Sequence, residues 1–435
     1  MRSTSPRVLI AAVSALTVLA ACTSGEHPPV VQGAGVIQPA ASPAGNYLAG
    51  RQAQKNRDFG SASRFLGQAL QESPDNTLLL RNTFLARLAD GEIGEAVPMA
   101  REIVKRQSSA PIAKLILLTD AVKRNDLADA EKTLENFPDR GFAGFMKPLL
   151  TSWVKAGQSD SAAAIAALDP LKNQSGLRVL YELHAALLSD ALGRTVDAEK
   201  HYKLAAKNVR RSTLRVVQGY GTHLERAGKT EQARQIYDTY ILENPDSVVL
   251  GPALKRLEQG LKPELLVSNP AEGIAEALFN IAGTMTRRNS AQDALIFGQL
   301  ALYLRHDFDL ARMLVAGILE SMNRNDDAIA TYLEIDPASP FHWSARLRVA
   351  GNLESLDRDD DAIELLQVLT KEDVTRPEPL VSLGDLLRSN KRFSESVAAY
   401  DRAIELLPNL DKRHWTILYS RGISLERSKQ WERAE

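Results

Sequence analysis

The stretch that decides the fold is PEPLVSLGDLLRSNKRFSESVAAYDRAIELLP, residues 377–408. A similar arrangement of small, aromatic and proline residues returns about every 34 residues, from about residue 43 to the end of the chain. In this stretch it consists of Gly384, Phe393, Tyr400, Ala403 and Pro408. A period of this length is the signature of a repeat protein, in which each unit buries its apolar face only against its neighbours.

The repeats resemble the tetratricopeptide family, whose unit is two antiparallel helices joined by a tight turn. In that family small residues at positions 8 and 20 let the two helices cross closely, and an aromatic residue at position 24 fills the gap between units. Alanine is usual at position 27, and proline at position 32 ends the second helix because it lacks an amide donor. The resemblance covers about nine tenths of the mature chain, as about ten full units and one partial unit.

The fifth and sixth units match the pattern most clearly in the first half of the chain. Their matching residues are Ala186, Gly193, Ala198, Tyr202 and Ala205 in one, and Gly221, Gly228, Ala233, Tyr237 and Pro245 in the other. In the weaker fourth unit the pattern predicts Gly157 as the turn residue and Ala162 as the crossing residue. Taken together, the repeated units predict an all-α solenoid of stacked antiparallel helix pairs.

The register breaks after the sixth unit, which predicts two sub-arrays joined by a hinge with one extra helix near residues 253–259. The expected organisation has five parts. They are a signal peptide at 1–21, a lipidated tether at 22–43, a first array at 44–245, an irregular insert at 246–274 and a second array at 275–435, whose last repeat is incomplete. A half repeat leaves an apolar face uncovered, so the pattern favours a truncated chain.

The N-terminus resembles a bacterial lipoprotein signal. Arg2 and Arg7 precede an apolar run that is too short to span a membrane, and Leu19, Ala20 and Ala21 lead into Cys22, the only cysteine of the chain. The resemblance implies a diacylglycerol on the Cys22 sulfur. Thr23, where an aspartate would favour the inner membrane, implies the outer membrane and a chain that faces the periplasm. A cleaved but unlipidated signal would instead give a secreted adaptor.

The sequence offers no recognisable chemistry, and we expect neither an enzyme nor a cofactor or metal site. The seven histidines have no metal-ligand spacing, and His223 is expected at the surface. Gly228 begins an intra-repeat turn better than a phosphate loop, and the acidic run at residues 357–361 is expected to be a solvated turn. The formal net charge of −1 gives no sign of a nucleic-acid-binding face.

In tetratricopeptide arrays the first helix of each unit lines the concave face, with positions 2, 5, 9 and 12 turned inward. The resemblance therefore implies a groove for partner proteins or peptides. Its candidate residues are Arg215, Gln218, Thr222, Phe279, Gly283, Met313, Gly317, Leu347, Gly351, Asp385 and Arg388. Three glycines recur at position 9, which would make room for an inserted helix or an extended peptide. The alternative is that these residues pack against the insert or neighbouring turns.

These observations predict a lipid-anchored periplasmic scaffold for protein–protein interaction in envelope assembly, secretion or polysaccharide export. The alternative is the regulatory or substrate-binding part of a larger envelope enzyme whose catalytic domain lies beyond residue 435. No unit has the lysine and asparagine pair of the chaperone-type carboxylate clamp, so the sequence does not favour that ligand.

Overall fold

The structure is a computed structural model that describes residues 42–174, 176–207, 212–245, 247, 249–286, 290–407 and 410–434. Within these ranges the chain is helical and contains no strand. The predicted all-α solenoid is confirmed, because successive helices form packed antiparallel pairs. The described residues belong to one compact unit.

The first array contains six helix pairs. Their helices are α1 (Pro43–Lys55) with α2 (Phe59–Glu72), α3 (Thr77–Ala89) with α4 (Ile93–Arg106), α5 (Pro111–Lys123) with α6 (Leu127–Glu135), α7 (Phe142–Gly157) with α8 (Ser161–Ala166) and the short α9 (Asp169–Lys172), α10 (Arg178–Ala191) with α11 (Thr195–Ala205), and α12 (Leu214–Arg226) with α13 (Thr230–Glu243). The insert contains α14 (Gly251–Glu258), close to where the sequence indicates an extra helix.

The second array follows the insert. Its helices are α15 (Pro270–Thr286) with α16 (Ala291–Leu304), α17 (Asp309–Ser321) with α18 (Asn325–Leu333), α19 (His342–Ser355) with α20 (Asp359–Glu372), α21 (Glu378–Ser389) with α22 (Phe393–Glu405), and α23 (Trp415–Arg427) with the short α24 (Trp431–Ala434). The first helix of this array begins at residue 270, five residues before the boundary expected from the repeat pattern.

In every pair whose turn the structure describes in full, the turn contains one residue with positive φ. From Arg57 to Gly193 such residues follow one another every 34 residues, and the period returns in the second array. The full set is Arg57, Gly91, Asn125, Ser159, Gly193, Gly228, Asn323, Asp357, Lys391 and Lys429. Left-handed backbone is easy for glycine and tolerable for asparagine, but it costs other residues about 1 kcal/mol or more. Packing of the two helices therefore imposes this conformation even where the residue does not favour it.

The crossing residue lies five positions after the turn residue and is buried in each full unit whose turn the structure describes. These residues are Ala62, Ala96, Ala130, Ala164, Ala198, Ala233, Ala328, Ala362 and Ser396. The prediction for the fourth unit was wrong by two residues: the turn residue is Ser159 and the crossing residue is Ala164, whereas Ala162 is exposed. Gly157 instead ends α7, where a Cβ would lie 2.4 Å from Pro270 Cγ.

The corrected register predicts opposite outcomes for two alanines of one helix. Ala164→Phe overpacks the crossing between α7 and α8, at a cost of about 1–3 kcal/mol. Ala162→Phe is the matched control, because that side chain is exposed and its replacement is expected to stay within about 0.5 kcal/mol. Thermal unfolding of both variants provides the measurement. Equal melting temperatures would contradict the register.

The tyrosines at position 24 are core residues, as predicted. Tyr202, Tyr237 and Tyr400 are fully buried, and Tyr332 is 2% exposed. Two of these rings lie against glycines of the first helices: a Cβ on Gly221 would lie 2.2 Å from the ring of Tyr237, and one on Gly384 would lie 2.7 Å from that of Tyr400. Glycine at these two positions is therefore required for close approach of the ring.

The two arrays are in direct contact. Helix α15 packs against α5, α7 and α10, and α16 packs against α3, α4 and α5. The two arrays are therefore packed against each other on either side of the position where the break in register predicted a hinge.

The predicted signal peptide, Cys22 and nearly all of the predicted tether lie outside the described residues. The first described residue, Ser42, caps α1 by accepting a hydrogen bond from the amide of Gly45 at 3.1 Å. Among the helices that the structure describes, none combines the length and apolar composition needed to cross a membrane.

Candidate partner-binding grooves

The inward face of the first array, here called the first groove, is formed by α5, α7, α10 and α12. Its inward positions in the third to fifth units are mostly apolar, and eight of the twelve are buried. They include Leu115, Thr119, Val122, Met146, Leu149, Trp153, Leu183 and Leu187. Helix α15 covers this face, and its residues from Gly273 to Leu278, together with Ile281 and Ala282, are buried. The first groove is therefore filled by a helix of the same chain.

Close packing seats α15 in the first groove. A Cβ on Gly273 would lie 2.0 Å from the indole of Trp153, which is 1% exposed, so only glycine fits there. Pro270 lies over Gly157 in the same way. Small residues on both helices let their backbones approach, and this allows a helix to lie within the array.

A buried ion pair closes the far end of the first groove. Arg215 of α12 donates to both carboxylate oxygens of Glu276 of α15, with N–O distances of 2.6–2.9 Å. The two side chains are 8% and 0% exposed. The Arg215 guanidinium also lies 5.0 Å from the ring centroid of Phe308. For Arg215 the contacts favour the alternative of packing within the chain, because its charge is already paired.

The other two candidates on α12 have local hydrogen bonds. Gln218 Oε1 accepts a hydrogen bond from Arg215 at 3.3 Å, and the hydroxyl of Thr222 donates to the carbonyl oxygen of Gln218 at 2.8 Å. Both side chains are half-buried. They lie beside the ion pair rather than in an open groove.

The face formed by α17, α19, α21 and α23 is here called the second groove. An open pocket of about 620 Å³ lies at its start, where Met313 and Gly317 meet Arg57, Thr286 and Ser321. Further along, Leu347 is half-buried and Gly351 is exposed, with nothing within 4 Å of a Cβ placed on it. The structure thus brings Met313 and Gly317 together in one pocket and places Leu347 and Gly351 on the next first helix.

The two candidates on α15 lie at the border of the two grooves. Phe279 packs on Phe308, with ring centroids 5.1 Å apart, so it is a core contact on one side. Gly283 has nothing within 4 Å of a Cβ placed on it and is half-buried. Gly283 therefore leaves open space beside the start of the second groove.

Asp385 and Arg388 take part in a recurring pair between a carboxylate and a tyrosine. The hydroxyl of Tyr400 donates to Asp385 at 2.7 Å, and Arg388 lies 3.4 Å from the same carboxylate. Burial and the Asp385 carboxylate raise the pKa of Tyr400 to about 12. In the sixth unit Tyr237 donates to Glu225 at 2.7 Å in the same way. Such bonds fix each buried hydroxyl to the first helix of its own unit.

One inward row was not recognised as continuous from the sequence. At position 5 the successive units present Phe279, Met313, Leu347, Val381 and Tyr419. The first four are half-buried, while Tyr419 is 62% exposed and lies beside Trp415, with ring centroids 5.9 Å apart. The sequence could have indicated this row, because Tyr419 is three residues before the position-8 residue Gly422 and therefore occupies position 5. The second groove therefore contains an apolar stripe that runs across four first helices.

The titratable residues that were considered for chemistry have structural roles. His223 was expected at the surface, and this was wrong: it is 1% exposed, and its Nδ1 lies 3.1 Å from Asp190, which also pairs with Arg226. Gly228 is a turn residue with φ of +74°, as predicted. No group of His, Cys, Asp and Glu that could hold a metal ion occurs among the described residues.

No family model matches the chain, and no curated protein does. Among solved structures it is similar to a Naa15/Naa10 complex bound to HypK-THB, with a TM-score of 0.37 and 16% identity over 90% of this chain and 57% of that one. The chain thus spans little more than half of that protein. It is also similar to yeast Tom70, with a TM-score of 0.32 and 13% identity over 90% of this chain and 96% of that one.

A tetratricopeptide repeat protein from Parabacteroides merdae is similar at a TM-score of 0.30 and 13% identity, over 75% of this chain and 98% of that one. Likenesses of this size carry no conclusion about function. The fold assignment rests on the helix pairs and on the turn, crossing and tyrosine residues that repeat within them. By those features the chain is an α-solenoid of tetratricopeptide-type helix pairs, with one inward face filled and one open.

Proposed function

We propose that the protein is a scaffold that binds other proteins or peptides along the second groove. The observation that carries this proposal is the apolar stripe from Met313 to Tyr419, in which the first three residues are half-buried and Tyr419 is 62% exposed. Contiguous apolar residues that stay partly open to solvent are typical of interaction sites. A solenoid offers such a surface without requiring any catalytic group.

The proposed setting is the periplasmic face of the outer membrane, with a lipid anchor at Cys22 and partners in envelope assembly, secretion or polysaccharide export. Its support is the sequence of the N-terminus alone. Mass spectrometry of the mature N-terminus tests the anchor. An acylated Cys22 is expected, and an unmodified cysteine would remove this part of the proposal without affecting the groove.

We expect Gly351→Trp to block partner capture. The indole would project into the second groove, and its Cβ would start in open space, because nothing lies within 4 Å of a Cβ at this position. Gly94→Trp is the matched control, since Gly94 is also exposed, helical and free of neighbours, but lies on a second helix of the first array.

Crosslinking in intact cells that produce each form, followed by identification of crosslinked proteins, provides the measurement. Partners captured by the wild-type chain and by Gly94→Trp should be reduced about tenfold or more with Gly351→Trp. An unchanged set of partners with Gly351→Trp would overturn the proposed site.

A further inference from the structure

We propose that the occupant of the second groove is a basic amphipathic helix. This inference rests on the proposed function of that groove and adds the chemistry of its partner. It follows from three features: the helix already bound in the first groove, the dimensions of the apolar stripe, and the charge along its edge.

The first groove shows what the inward face of this solenoid accepts. It holds α15, a helix of 17 residues, against the first helices α5, α7 and α10. The contact works because glycines on both helices remove side chains at the closest approach. In the second groove nothing lies within 4 Å of a Cβ placed on Gly351, and the nearest atom to a Cβ placed on Gly317 is the Tyr332 hydroxyl oxygen at 3.9 Å. Glycine at position 9 therefore leaves room for another helix to approach there.

The stripe has the length of a helix. Packed helices lie about 8–10 Å apart, so the three steps from α17 to α23 span about 25–30 Å. A helix of about 17–20 residues covers that distance at a rise of about 1.5 Å per residue. Its apolar face would meet the row formed by Met313, Leu347, Val381 and Tyr419.

The edge of the stripe is predominantly acidic. Position 12 is Glu320, Glu354 and Glu426 in the eighth, ninth and eleventh units, and Arg388 in the tenth. Partial burial raises the pKa of Glu354, and the nearby carboxylates of Asp359 and Asp385 raise it further, whereas Arg388 opposes them more weakly. The segment that follows, residues 357–361, forms the turn after α19 and the start of α20, and it holds four aspartates and one arginine.

Charge complementarity selects the partner. Glu320 has cationic and amide neighbours in Arg348 and Asn352. Around Glu354 the strongest charged neighbours are instead carboxylates. A partner with lysine or arginine beside its apolar face would relieve this repulsion, while an acidic partner would add to it. The second groove is therefore selective against acidic helices.

The test uses the full mature chain and three labelled 18-residue peptides. One is an amphipathic helix of leucine and lysine, the second has glutamate in place of lysine, and the third has the leucine and lysine residues in scrambled order. We expect the first to bind with Kd below about 100 μM and at least about tenfold more tightly than the other two. Raising the salt concentration should weaken its binding, because exposed charges are screened.

Two charge variants locate the effect. Glu354→Lys/Glu426→Lys should weaken binding of the leucine–lysine peptide about tenfold or more, because both exposed carboxylates lie in the position-12 row. Glu231→Lys/Asp238→Lys makes the same change of net charge at exposed positions of α13 and should have no effect.

The outcomes separate the partner chemistry from the groove. Equal binding of the lysine and glutamate peptides, equal binding of the scrambled peptide, or no binding of the leucine–lysine peptide would overturn the basic helix. If Gly351→Trp still abolishes capture of cellular partners, the groove stands and only its partner chemistry is wrong. If that variant captures them normally, the proposed function itself fails.

Discussion

Replacing Glu276 by glutamine will loosen α15 from the first groove and destabilise this contact by about 3–5 kcal/mol. The carboxylate accepts three hydrogen bonds from Arg215, and both side chains are buried. Glutamine keeps the shape but leaves the guanidinium buried without an opposite charge. An uncompensated buried charge costs far more than the net value of the pair it came from.

Amide hydrogen exchange measures this effect locally, which matters because stability in a solenoid is distributed along its units. Exchange of the α15 amides should accelerate by about 150-fold or more if the loss is at least about 3 kcal/mol. Two controls bracket the result. Glu395→Gln removes an exposed carboxylate paired with Arg392 and should cost less than about 1 kcal/mol.

The second control is the double variant Arg215→Met/Glu276→Leu. It replaces both charges by apolar groups and should recover most of the lost protection, because no charge remains buried. Failure of the double variant to recover protection would show that the shape of the pair, rather than its charge, seats α15. Unchanged exchange in Glu276→Gln would contradict the burial of the pair itself.

The local rules of the helix pair could be predicted from the sequence, because each is a steric requirement within one unit. Gly193 and Ala198 mark a turn and a crossing wherever their spacing returns, and Tyr237 must be buried if a glycine faces its ring. The fourth unit failed because Ser159 adopts positive φ without being glycine. Gly157, two residues earlier, is needed for a different reason, which is the close approach of Pro270.

The relation between the two arrays could not be predicted by the same rules. Which units meet depends on how small rotations accumulate along the solenoid, and no single repeat specifies this. Residue type at position 5 gave no clue, because this position is apolar in both grooves: Leu115, Leu149 and Leu183 in the first, and Met313, Leu347 and Val381 in the second. The row alone therefore does not distinguish the covered groove from the open one.

Lowering the pH from about 6.5 to 4 will weaken the contact between α7, α10 and α15 by about 3 kcal/mol, through His184. This side chain is fully buried beside Trp153, whose indole N–H lies 3.5 Å from His184 Nδ1. Burial lowers the pKa of His184 to about 4, although the Glu276 carboxylate opposes the shift. A proton on the ring would place a charge among apolar side chains, so the folded state keeps the histidine neutral.

The direction follows from proton binding. In the unfolded chain the histidine titrates near its ordinary pKa of about 6.5, so between pH 6.5 and 4 the unfolded state binds the proton and the folded state does not. Stability is therefore full above pH 6.5 and falls as the pH drops toward 4. A difference of about 2.5 pH units corresponds to about 3 kcal/mol. Asp90, whose pKa is raised to about 6 by partial burial and by the nearby Glu92 carboxylate, acts in the opposite direction, but it lies at the C-terminal end of α3 rather than in α7, α10 or α15.

The measurement is amide hydrogen exchange of α7 and α10 in the wild-type protein and in His184→Gln, each at pH 7 and pH 4.5. The rates are corrected for the pH dependence of intrinsic exchange. Comparison of the two proteins separates the effect of His184 from that of Asp90. The wild-type protein should lose protection at the lower pH by about two orders of magnitude more than the variant does, because glutamine takes up no proton. His306→Gln is the control, since His306 is exposed and its replacement should leave the pH dependence unchanged. A pH dependence in His184→Gln equal to that of wild type would assign the effect to other groups, because only the buried imidazole differs between the two proteins.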